Sequence, residues 1–76
     1  MNKLRRADLD RAVRLIADAK EIIEGARDEE QDGFDSLPEG IQASERGEAM
    51  EQAAERLTEA VDLFDEIESA IDEAKA

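Results

Sequence analysis

"DEEQDGFDSLPEGIQASERG", residues 28–47, lies between two long amphipathic stretches, and its reading decides the fold. On either side of it, apolar residues recur at the three-and-four spacing of a helix. Within it, Asp, Glu, Gly, Ser and Pro dominate, as they do in connections between helices. Taken as a connection, it makes the chain a helical hairpin.

The upstream stretch carries Leu9, Ala12, Ile16, Ala19, Ile23 and Ala26 on one stripe, widened by Val13, Leu15 and Ile22. This predicts a first helix over about residues 3–28. The stripe is broader than a two-stranded coiled-coil seam and suits a bundle helix. Downstream, Met50, Leu57, Phe64 and Ile71 recur every seven residues, with Ala53, Ala60, Ile67 and Ala74 between them and Val61 and Leu63 broadening the face. This predicts a second helix over about 44–75. The expected fold class is all-α: one domain of residues 1–76, an antiparallel hairpin joined through about 29–43. A short connection makes sequential helices antiparallel neighbours. Two faces this wide do not cover each other, and Leu15, Ile22, Val61 and Leu63 are expected to stay partly open. A two-fold homodimer closing into a four-helix bundle is the expected remedy.

Charge is uneven along the chain. The net charge is −12, from 22 acidic and 10 basic residues. Seven of the basic residues fall within residues 1–27, whereas residues 28–76 hold 17 of the acidic ones. In an antiparallel hairpin this sets Arg5, Arg6, Arg11 and Arg14 within reach of some of Asp62, Asp65, Glu66 and Glu68. The excess of negative charge disfavours direct binding to nucleic acid or to anionic lipid. The longest apolar run is three residues, too short for a membrane span. No secretory signal pattern is visible at the N-terminus, so a cytoplasmic setting is expected.

The side-chain inventory argues against catalysis. There is no Cys and no His, which removes thiolate chemistry, the commonest general base and the commonest transition-metal ligand. There is no Trp or Tyr to stack a base. A non-enzymatic protein with no cofactor is expected.

The connecting segment admits one metal reading. Asp28, Glu30, Asp32, Gly33 and Glu39 occupy positions 1, 3, 5, 6 and 12 of a calcium-loop window. Against it stand a Glu at position 3, Asp35 where an apolar residue belongs, Pro38 at position 11 and the lack of a second loop. No metal site is expected. The same residues form a capping box, Ser36-Leu37-Pro38-Glu39, which predicts a helical turn from about Leu37. Ser44 offers a second cap, from which the long helix starts. Phe34, Leu37 and Ile41 lie off the Met50–Ile71 stripe. They either plug the end of the bundle or form an exposed binding patch.

Residues 34–46 read F-D-S-L-P-E-G-I-Q-A-S-E-R and are followed by an acidic helix. The segment resembles small acidic helical proteins of phages, prophages and other mobile elements that share an F-D-x-L-P-E-x-[IL]-Q-x-S-E-R pattern. The likeness spans residues 34–74. It implies a genomic setting and, with it, a role inside a host cell, but no established activity.

Three functions are compatible with these features. The first is a phage-type protein that inhibits a host factor, an anti-defence protein whose acidic face imitates nucleic acid and occupies a basic surface. Its binding residues are expected to be Phe34, Leu37, Ile41, Glu48, Glu51, Glu55, Glu59 and Asp62. The second is a structural or adaptor bundle. The third is a sponge for a phosphorylated signal nucleotide, held by Arg5, Arg6, Arg11 and Arg14 of adjacent subunits, since arginine forks suit phosphate.

Overall fold

Asn2 opens the first helix: its side-chain oxygen accepts a hydrogen bond from the Arg5 amide at 2.8 Å, satisfying a donor that lacks an intrahelical partner. In the computed structural model, which describes residues 1–76, that helix is α1 (Lys3–Asp35). A single turn, α2 (Glu39–Gln42), and a second long helix, α3 (Glu45–Lys75), follow, and there is no strand.

Helix α1 outruns its expected end at residue 28 by two turns. The acidic stretch 28–35 is helical, with no positive φ even at Gly33. The seam position recurs through Val13, Ile16, Lys20, Ile23, Arg27, Glu30 and Phe34, all half-buried. Because Lys20, Arg27 and Glu30 occupy it, the apolar signal fades although the period continues. The stretch ends where Pro38 disfavours helical geometry at Leu37. The connection is therefore residues 36–44 around α2, not 29–43.

The expected capping box does not form. Ser36 closes α1 instead: its amide and its hydroxyl both donate to the Asp32 carbonyl, at 3.0 and 2.8 Å. Helix α2 starts at Glu39, two residues after the expected Leu37, with no side-chain cap at Pro38. Ser44 does cap α3, accepting from the Gly47 amide at 3.4 Å.

The two long helices lie antiparallel. Lys75 donates to Asp10 at 2.7 Å, and Lys20 donates to Asp65. Ten residues forward along α1 thus correspond to ten back along α3. The molecule is a rod of 58 × 15 × 13 Å, one helix pair wide. In this register Asp65 stands level with Lys20, and residues 3–8 of α1 have no α3 residue opposite them. The expected pairing of Arg5, Arg6, Arg11 and Arg14 with Asp62, Asp65, Glu66 and Glu68 is therefore replaced by two lysine pairs. Arg11 reaches only Asp8 on its own helix, at 3.8 Å.

The contact line on α3 is Gly47, Ala54 and Val61, the only buried residues. Met50, Leu57, Phe64 and Ile71 flank it, half-buried. The line is turned toward Ala54 because small residues there let the helices approach closely, and Val61, expected to remain open, is buried. Ile67 and Ala74 turn outward in consequence. Leu15, Ile22 and Leu63 are open as expected, at 63%, 73% and 56% exposure.

Gly47 is required by a close approach. A methyl group there would collide with the carbonyl oxygens of Gln42 and Ile41, where α2 folds back on α3. Gln42 completes this end by donating its side-chain amide to the Phe34 carbonyl at 3.1 Å. Phe34 and Leu37 are half-buried there, and Ile41 is 41% exposed.

Candidate interaction surfaces

The Lys20–Asp65 pair marks one flank of the hairpin. Residues three or four apart share a helix face, so Glu24, Asp28 and Asp35 follow Lys20 along it. Asp62, Glu55, Glu51 and Glu48 follow Asp65 in the same way. Lys20 feels this setting: its ammonium is held above the usual lysine range mainly by the hydrogen bond to Asp65, against a desolvation cost, with Glu68 and Glu24 adding to the effect.

Antiparallel register brings these two acidic rows level with each other. Glu21 to Asp35 on α1 and Glu48 to Asp62 on α3 each span about 21 Å at 1.5 Å per residue. With Glu21, three residues before Glu24, and Glu59, three before Asp62, counted in, they offer about nine carboxylates over that length, roughly one per 2–2.5 Å. Duplex DNA carries roughly one negative charge per 1.7 Å of its axis. Glu48, Glu51, Glu55, Glu59 and Asp62 are all exposed. Of these only Glu59 has an ionic partner, Arg56 at 3.1 Å, while on α1 Asp28 is held by Arg27 at 3.1 Å. Helical spacing in the sequence yields the α3 row but not the α1 row, because the apolar stripe ends the first helix at about 28, which leaves Asp35 in the connection. The axial register that sets Glu24 and Asp28 beside the α3 row is not in the helical period either.

The opposite flank is apolar. Ile23 of α1 joins Ala60, Leu63, Phe64 and Ile67 of α3 in an open groove lined only by hydrophobic side chains. Leu15 and Ile22 flank it on α1. The α3 stripe continues toward the loop end through Arg56, Ala53 and Ala49, into a shallow hollow lined also by Gln52, Glu55 and Glu59.

The remaining residues singled out from the sequence sit at the two ends. Phe34, Leu37 and Ile41 gather at the loop end, Phe34 and Leu37 half-buried and Ile41 exposed. Arg5 and Arg6 lie on the overhang at the other end, and Arg5, Arg6 and Arg14 form no ion pair. Successive helical residues are about 100° apart, so the four arginines are spread around α1 and do not converge. The calcium-window residues Asp28, Glu30 and Asp32 lie on regular helix, where they cannot wrap a cation as loop ligands do. No cluster of acidic side chains is arranged to hold a metal ion.

No helix is long and apolar enough to cross a membrane. Comparison with protein families, curated proteins and solved structures found no match to this chain.

Proposed function

We propose that this chain is a small non-enzymatic binding protein of the phage or mobile-element type that inhibits a host protein by covering its basic surface. The observation that carries this reading is the double acidic row, whose exposed α3 carboxylates largely lack partners inside the hairpin. A surface at near-DNA charge density competes for channels that hold phosphate mainly by charge. Such a face steers association more than it holds the complex. Ile41, the most exposed apolar residue of the Phe34–Ile41 segment, supplies a contact that slows release. The same reading includes a two-fold dimer that closes the hairpins into a four-helix bundle in the host cytoplasm.

The adaptor reading is the alternative, favoured by the apolar flank, which offers a surface for helices. The two separate on one measurement. With Glu51, Glu55, Glu59 and Asp62 all changed to Lys, capture of a host protein from lysate is lost, and DNA no longer competes for that protein. If capture is unchanged, the acidic flank only solvates the hairpin and the adaptor reading stands.

A further inference from the structure

A single hairpin leaves too much surface open. Its accessible area is 5666 Å². A folded monomer of 8.4 kDa exposes roughly 4,600 Å² by the usual scaling with mass. The excess, about 1,000 Å², is close to the roughly 800 Å² that each partner loses in a standard protein interface. No large side chain is fully buried. The exposed apolar residues Leu15, Ile22, Leu63 and Ile67 lie on the flank opposite the double acidic row. A second copy can cover them without bringing the two acidic faces together.

We infer that two copies pair through this apolar flank, end for end, so that the arginine overhang of each α1 lies level with the acidic loop end of the other copy's α1. Two arrangements satisfy the apolar residues, and charge chooses between them. With the copies aligned in the same direction, the two Arg5–Arg6 ends meet each other, and so do the two acidic loop ends. With the copies reversed, each basic end faces an acidic one. Like charges in juxtaposition are costly, and complementary ones fix orientation.

The register follows from the helix rise. The two-fold axis lies between the two apolar flanks and runs across the rods, level with the midpoint between Leu15 and Ile22. Leu4 lies about 22 Å to one side of it at 1.5 Å per residue. Because an axis that reverses the copies sets α1 on α1, the same distance on the other side reaches the level of Gly33 in the second copy's α1. Leu4 is the most exposed large apolar residue, at 79%, and this brings it against the last turns of the second copy's α1. Arg5 and Arg6, unpaired within the hairpin, come level with Glu29 and Asp32 on the acidic end of the second copy's α1. The dimer carries its two double acidic rows outward on opposite sides, which makes it bivalent.

This inference rests on the dimer of the preceding reading, and cross-linking of the full chain tests its arrangement. The chain has no cysteine, so introduced thiols are the only ones. Leu4→Cys with Glu29→Cys in one chain, treated with a short bis-maleimide, gives a covalent dimer. Within one hairpin the two positions are about 38 Å apart along α1, beyond the reach of the reagent. Leu4→Cys alone gives little covalent dimer. Ile22→Asp, at a site exposed in the hairpin, weakens the dimer at least tenfold by sedimentation. If Leu4→Cys alone cross-links as fast as the double variant, the copies run in the same direction and the arrangement is wrong while the dimer stands. A wild-type chain that stays monomeric at high micromolar concentration sinks both, and leaves the acidic-flank reading to its own capture experiment.

Discussion

Lys75 of α3 donates a hydrogen bond to Asp10 of α1 across sixty-five residues of chain, at 2.7 Å. With Lys20–Asp65 it ties the helices at two levels and fixes one sliding register for the pair. The bond and the ammonium charge hold the Asp10 carboxyl below the usual range of 3.8, against some desolvation. The same bond raises Lys75 above 10.5.

Linkage turns those two shifts into a pH window. Asp10, lowered on folding, contributes stability above its ordinary value and loses it as the pH falls through the folded one. Lys75, raised on folding, contributes below its ordinary value and loses it as the pH rises through the folded one. Asp10→Asn therefore melts slightly below wild type from roughly pH 5 to pH 9, and the gap closes at both extremes. Both groups are solvent-accessible, so the gap is small and shrinks in salt. Thermal melts of the two proteins across pH check this; a gap that persists at pH 2 rules out the ion pair as its source.

Two glycines give opposite responses to alanine. Gly25 has nothing within 4 Å of an added methyl, so Gly25→Ala gains helix propensity and stabilises by about 0.5–1 kcal/mol. At Gly47 the methyl meets backbone carbonyl oxygens, which cannot swing aside as a flexible side chain can. Gly47→Ala destabilises by more than that gain and loosens α2 from α3. Gly33 is intermediate, since its methyl would meet only the terminal carbon of Met50, at 2.9 Å, which can move. Urea melts of the three variants rank them Gly25→Ala, Gly33→Ala, Gly47→Ala from most to least stable.

The helical class and Ser44 as the start of the second long helix were legible because each rests on local pattern. The end of α1 was not. Its last two turns are written in Asp, Glu, Gln and Gly, and only Phe34, seven residues beyond Arg27 on the seam, betrays that the helix continues. The choice of lysine pairs over arginine pairs depends on axial register. Register is set by Gly47 meeting the α2 carbonyls and by Ala54 packing closely, contacts that no helical period reveals. The exposed apolar flank was partly legible: Leu15, Ile22 and Leu63 fall off the seam in the sequence, but Val61 is carried inward by the turn of the contact line.

The two candidate caps separate by substitution. Ser44 satisfies the Gly47 amide at the start of a 31-residue helix, so Ser44→Ala costs about 1 kcal/mol. Ser36 only adds a second donor to the Asp32 carbonyl, which already accepts the Ser36 amide. Ser36→Ala, and Glu39→Gln with it, stays within about 0.5 kcal/mol of wild type. Equal losses at Ser36 and Ser44 in thermal melts would restore the capping box at residues 36–39.

The loop-end segment divides between support and recognition. Phe34 holds a seam position on α1, and its carbonyl accepts the Gln42 side-chain amide, tying α2 to the hairpin. Truncating it removes apolar contact and leaves a gap, so Phe34→Ala destabilises by about 2 kcal/mol, at the low end for an aromatic because the site is only half-buried. Ile41 is 41% exposed, and Ile41→Ser changes stability by about 0.5 kcal/mol or less, as at other open sites. The two variants also part in binding. An anchor at the rim of a charge-steered contact acts on release, so Ile41→Ser shortens the lifetime of a captured host complex while its rate of formation holds. Glu51→Lys with Glu55→Lys does the reverse, slowing formation. If Ile41→Ser lowers the melting temperature as much as Phe34→Ala and leaves release unchanged, the whole segment is a plug for the end of the hairpin.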